Sequence, residues 1–109
     1  MKKLLVIHPE SGQSHGVDAE NVTLEMLQRE VGGYIQPCAP VELVELGYQM
    51  LCDEEGLLKG LKPNENLYPF FFVGNVVFVK VQGEEFVGLN MYDIGFIRGW
   101  LTGLKNVER

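Results

Sequence analysis

The chain has 109 residues, 46% hydrophobic and 22% charged, with a net charge of −6. That size and balance describe a single globular domain over residues 1–109, with a core that needs no disulfide or metal staple, and they exclude a disordered chain. Nine scattered Lys and Arg argue against a dedicated nucleic-acid binder, and the acids are too interrupted by apolar residues for a nucleic-acid mimic. No apolar run approaches the ~20 residues of a membrane span.

The first element is a strand over Lys3 to His8, apolar and β-branched and stopped by Pro9. Its apolar stretch is short of the about 7–15 residues of a signal peptide, so a cytoplasmic location is expected. "ESGQSHG", residues 10–16, reads as a polar loop. "TLEMLQREVGG" predicts a helix capped by Thr23. Leu24, Leu27 and Val31 define its buried face, Glu25 and Arg29 form an i,i+4 pair, and Gly32–Gly33 ends it. "YIQPCAP" is an edge strand or bulge, because proline cannot donate to a sheet ladder. Val41 to Glu45 fits either a strand or a short helical turn.

"YQMLCDEEGLLKGL" predicts a hairpin whose solvated tip is "DEEG" and whose return strand includes Leu57 and Leu58. "KPNENLY" is a polar loop or a single helical turn, with Asn64 and Asn66 able to cap it or to bind a ligand. "YPFFF", residues 68–72, must turn at least one phenylalanine outward, to be covered by the last helix, a subunit or a ligand. "VVFVKV" is apolar on both faces and predicts a central strand, with Val76, Phe78 and Lys80 on one side and Val77, Val79 and Val81 on the other. "QGEE" turns the chain. "NMYDIGFIRGWLTGLK" is a helix opened by Asn90 and Asp93 in a capping-box arrangement. The expected architecture is α+β: a mostly antiparallel sheet of four to six strands with two helices packed on it.

That last helix repeats glycine every fourth residue, at Gly95, Gly99 and Gly103, giving up about 3 kcal/mol of helix propensity along one stripe. Its apolar face lies elsewhere on the wheel, and Arg98 and Lys105 fill the gap beside the stripe. A groove of missing side chains suits tight packing within the protein, a helix–helix contact between subunits, or a ligand wall. In the last case Arg98 reaches an anion and Tyr92 or Trp100 stacks on a ring.

Catalytic signals are weak. His8, Ser11, Ser14 and His15 lie close in sequence, but no nucleophile elbow and no acid partner accompany them. "SGQSHG" lacks the Gly-Lys-Ser/Thr ending of a phosphate loop, though its backbone N–H groups could face an anion. Cys38 and Cys52 have neither the spacing nor the histidine partners of a zinc site and read as buried free thiols, a disulfide being the alternative. Neither a metal, a cofactor nor enzymatic activity is expected.

In order, "LEMLQREVGGYIQ", "DEEGLLKGLKPN", "VGNVVFV" and "GEEFVGL" resemble the family of domain of unknown function 3846, small proteins of phages and bacterial mobile elements. The likeness runs over roughly residues 3 to 104. The chain carries Asp53 where that family often has asparagine, and "YPFFF" replaces a short loop. The resemblance implies a phage or mobile-element origin and, by analogy, a role against host defence. The leading expectation is a homo-oligomeric protein, paired through Gly95, Gly99 and Gly103, that sequesters a small nucleotide-like immune signal. His8, Ser11, His15, Asn64, Tyr92, Arg98 and Trp100 are its candidate ligand contacts. The alternative is an inhibitor of a host defence nuclease or effector, acting through the acidic and aromatic surface.

Overall fold

The computed structural model describes residues 1–106. Six antiparallel strands form one open sheet: β1 (Lys3–Ile7), β2 (Ser14–Asp18), β3 (Ile35–Pro37), β4 (Tyr48–Asp53), β5 (Val76–Gln82) and β6 (Glu85–Val87). The order is β2-β1-β5-β4-β3, with β6 paired to β5. Three helices accompany it, α1 (Leu24–Val31), α2 (Val41–Glu45) and α3 (Met91–Lys105), together with a 3₁₀ turn at Glu65–Leu67. This is the expected α+β architecture, with a third short helix where Val41 to Glu45 had left strand or helix open.

The central strand explains the layering. Residues 76–79 are wholly buried, and alternation sends them to opposite sides. Val76 and Phe78 join Leu5, Ile7 and Met50 under Ile97 and Leu101 of α3. Val77 and Val79 join Leu4, Val6 and Leu51 under Leu27 and Val31 of α1. Register places Leu5 and Met50 on either side of Phe78, so one apolar row crosses three strands beneath α3.

Local signals place the helix ends. The Thr23 side chain accepts from the Met26 N–H, and Gly32 closes α1 with φ of 92°, a left-handed conformation that a side chain disfavours. Leu24, expected on the buried face, is 59% exposed because only the Leu27 and Val31 stripe meets the sheet. Arg29 reaches Glu30 at 3.5 Å rather than the expected Glu25.

Two segments depart from expectation. Residues 14–16 belong to β2 instead of a loop, since β1 offers them a pairing edge. The hairpin expected after β4 does not return: Leu57 and Leu58 are exposed and lie in successive turns. The cause is Asp53, which is buried rather than solvated. Its carboxylate accepts from the Glu55 N–H at 2.8 Å and pairs with Lys59 at 2.6 Å, coiling the chain back on itself. Burial pushes this carboxyl up, but Lys59 and the Glu55 N–H together hold it below its ordinary range. Gly33 makes room for the pair, since a Cβ there would lie 2.7 Å from Asp53 Oδ2.

Asp93 performs a similar task on α3. It completes the capping box with Asn90, accepts from the Tyr48 hydroxyl at 2.8 Å and pairs with Lys80 at 3.3 Å. Burial raises its pKa, whereas the Asn90 N–H, the Tyr48 hydroxyl and Lys80 lower it, and the net shift is below the ordinary 3.8. The stabilisation is therefore complete above that ordinary value and disappears as pH falls through the depressed folded one. Asp93→Ala should cost about 3 kcal/mol at neutral pH, because it strands a buried hydroxyl and an ammonium. Its stability should also fall less steeply than the parent's as pH drops below the ordinary carboxyl value of 3.8 in acid-denaturation curves.

Candidate functional site

The sequence candidates do not converge on one place. β1 and β2 form a hairpin whose tip spans residues 8–13, closed by His8 N–H to Gln13 C=O at 3.0 Å. Alternation at its end sends His8 and His15 to the α1 side of the sheet, and Ile7 and Ser14 to the α3 side. Arg98, one face of α3, meets Ser14 there, its Nη1 donating to Ser14 Oγ at 3.3 Å. The histidines and Arg98, proposed as parts of one ligand site, thus lie on opposite faces.

On the α3 side a groove runs between the helix and the hairpin. One cavity of about 190 Å³ is lined by Gly12, Ser14, Asn66, Arg98, Thr102 and Lys105, among others. A larger one of about 430 Å³ is more apolar, with Met1, Leu5, Met91 and Ile94 joining Lys3, Gly16 and Arg98. Arg98 lines both. Among the described residues no carboxylate pairs with its guanidinium. The groove therefore offers an uncompensated fork of N–H donors, a second cation two turns further along, and an apolar compartment beside them.

The rest of the candidate set has other roles. Asn64 is buried, and its amide is committed to Ile7 C=O at 3.1 Å, Gly74 C=O at 2.9 Å and the Asn66 N–H at 3.1 Å. Asn66 holds the hairpin tip, donating to His8 C=O at 2.7 Å and Glu10 C=O at 2.8 Å and accepting from the Gly12 N–H at 2.8 Å. These two side chains fasten the long segment between β4 and β5 to the hairpin, and so form one wall of the groove. Ser11 is exposed at the tip. Trp100 packs inward, stacked on Phe70 at 5.9 Å and edge-on to Phe78 at 6.2 Å. Within "YPFFF" it is thus the last helix that covers Phe70, while Phe71 stays 69% exposed. Tyr92 is 81% exposed at the start of α3, outside both cavities.

The glycine stripe faces open space: a Cβ at Gly95, Gly99 or Gly103 would meet nothing within 4 Å. Tight internal packing, one of the three readings of the stripe, is therefore not its role in this fold. Asn66, read from the sequence as a cap or a ligand contact, is a groove residue, whereas Ser14 and Thr102 were not read as such. The seven-residue spacing of Arg98 and Lys105, two turns on one side of a helix, was the available signal.

A separate cavity of about 240 Å³ lies by the β3–β4 edge, lined by Cys38, Cys52, Leu57, Phe71 and Phe72 among others. Both thiols are free and half-buried. The hydrogen bond with the Cys52 thiol, reinforced by burial, pushes the Cys38 thiol up, and the same bond lowers Cys52. Among the described residues no group of three or more His, Cys, Asp or Glu is placed to hold a metal, and no helix is long and apolar enough to cross a membrane.

The sequence profile of the family described as Domain of unknown function (DUF3846) matches residues 1–101, and the chain belongs to that family. Neither a curated protein nor a solved structure matches it.

The wall of the groove can be tested directly. Asn66→Ala removes three hydrogen bonds and leaves a part-buried Gly12 N–H and two carbonyls unsatisfied, and should cost about 2–3 kcal/mol. Hydrogen exchange should show Gly12 losing protection ahead of the sheet. An equally protected Gly12 would mean that the hairpin tip holds itself.

Proposed function

We propose that this DUF3846 protein binds and sequesters a small nucleotide-like anion, without catalysis, in the groove between α3 and the β1–β2 hairpin. The observation that carries this reading is Arg98, set at the junction of two cavities, whose guanidinium has only the neutral Ser14 hydroxyl as a hydrogen-bond partner among the described residues. In a chain of net charge −6, an unneutralised guanidinium beside Lys105 is a local reversal of sign. A phosphate or similar oxyanion satisfies the guanidinium fork bidentately. The neighbouring apolar cavity, about 430 Å³, lies in the size range of small-molecule sites and suits a flat ring. The resemblance to phage and mobile-element proteins makes a host immune signal the proposed ligand, held in the cytoplasm of the host cell.

The solvent-open stripe supports a second part of the reading, in which two copies pair through α3. Close approach of helix backbones needs small residues, and Gly95, Gly99 and Gly103 leave that space vacant next to exposed Tyr92. A specific feature also favours the alternative, inhibition of a host defence protein. Phe71 and Leu57 are 69% and 72% exposed at the rim of the cavity by the β3–β4 edge, close to Glu54. Apolar anchors with an acidic rim are the features of a protein-docking surface.

Mononucleotides and cyclic dinucleotides are the probes, read by thermal shift and calorimetry. A bound nucleotide at 100 times its dissociation constant should add about 2.7 kcal/mol to stability. Arg98→Ala should weaken that binding about 10–100-fold, with Arg98→Lys between the two, because one charged hydrogen-bonding group is lost. Gly99→Leu should convert the oligomer to monomer in sedimentation. Absence of any nucleotide-dependent shift would transfer the function to the Phe71 surface, where Phe71→Asp should abolish partner capture.

A further inference from the structure

The proposed groove leaves the two histidines unused. His8 directly follows β1, and His15 sits in β2 opposite Val6. Antiparallel pairing makes them diagonal neighbours on the α1 side of the sheet. Their rings lie with centroids 4.8 Å apart, and His8 Nε2 is 2.7 Å from His15 Nδ1. The other nitrogen of His15, Nε2, faces Glu30 Oε1 of α1 at 3.5 Å.

Three residues from β1, β2 and α1 thus form a line of carboxylate, imidazole and imidazole. A carboxylate can only accept, so Glu30 favours the His15 proton on Nε2. That leaves a lone pair on His15 Nδ1, now occupied by the His8 Nε2–H. If the His8 proton passes through solvent from Nε2 to Nδ1, two lone pairs face the same point and both rings stay neutral. A cation then takes the place of the shared proton, with no net proton released.

We propose that His8 and His15 form a two-imidazole site for a divalent late transition metal, Cu²⁺ above the others, with Glu30 orienting His15 from behind. Two nitrogens at ~2.0 Å from a metal are ~2.8 Å apart on adjacent corners of a square and ~3.3 Å apart in a tetrahedron. The present 2.7 Å is the length of the N–H···N hydrogen bond, so either geometry is reached only after the rings turn toward the ion. Copper stands highest in the general affinity order of divalent metals. The His15 side chain is 45% exposed, which leaves an entry path and room for the rings to turn toward the ion. Glu30, 16% exposed, supplies the outer carboxylate that usually fixes the ring of a metal-bound histidine. With two protein ligands, the remaining corners are open to water.

Ni²⁺ titrated calorimetrically into the unaltered protein, and Cu²⁺ followed by electron paramagnetic resonance in a Cys38→Ser/Cys52→Ser variant, test the site without thiol oxidation. The expected copper spectrum is tetragonal, with coupling to two imidazole nitrogens. His8→Ala or His15→Ala should each lower affinity at least tenfold and leave coupling to one nitrogen. Glu30→Gln should weaken binding about tenfold while both nitrogens remain coupled. Circular dichroism should be unchanged in all three variants, since the altered side chains lie outside the core. Unchanged affinity in His15→Ala, a spectrum without two imidazoles, or Zn²⁺ binding more tightly than Cu²⁺ would each overturn the assignment.

Discussion

The two-sided burial of β5 is the constraint on which the rest of the structure depends. A strand with Val76 and Phe78 on one face and Val77 and Val79 on the other cannot leave either face in water. At about 25 cal/mol per Å² of apolar surface, each of these side chains contributes on the order of 1.5–3 kcal/mol when covered. The sheet is therefore a middle layer, with α1 on one side and α3, α2 and the 3₁₀ turn on the other. That division puts the Arg98 groove on one face and the histidine pair on the other.

The polar interior serves the same layering. Asp53, Asn64, Asn66 and Asp93 are buried, and no buried side-chain polar atom among the described residues lacks a partner. Each joins pieces of chain that the apolar core alone leaves free. Asp53 and Lys59 coil the segment after β4, Asn64 and Asn66 fasten the segment before β5, and Asp93 ties α3 to Tyr48 of β4 and Lys80 of β5. Burying such groups is costly unless they are hydrogen-bonded, so these contacts choose one arrangement of loops among many. The groove beside Arg98 is a product of that choice: Asn66 holds the hairpin tip on one side, and the α3 cap sets the helix on the other.

Much of the candidate site was not legible because alternation along a strand hides which way a hairpin end will face. His8, Ser11, Ser14 and His15 are neighbours in sequence, yet their side chains divide between two faces and an exposed turn. Trp100 was proposed as a stacking surface on its chemistry, but its ring fills the space between Phe70 and Phe78. Asn64 was a ligand candidate on its polarity, and its amide is taken by backbone carbonyls. Arg98 remained available, since its side of α3 is neither the core stripe nor the glycine stripe.

What the sequence by itself determined are features that close within a few residues. Thr23 and Gly32 bound α1, Asn90 and Asp93 open α3, Asn64 caps the 3₁₀ turn, and the alternating faces of β5 follow from its period. Each depends on one local hydrogen bond or on the geometry of a single element. Only the tertiary structure decided the strand order, the burial of Asp53, the separation of the histidines from Arg98 and the openness of the glycine stripe. Those outcomes depend on partners far along the chain: Gly12 and Asn66 are 54 residues apart, Ser14 and Arg98 are 84. Which distant groups meet is set by the simultaneous covering of both sheet faces, and no local pattern encodes that.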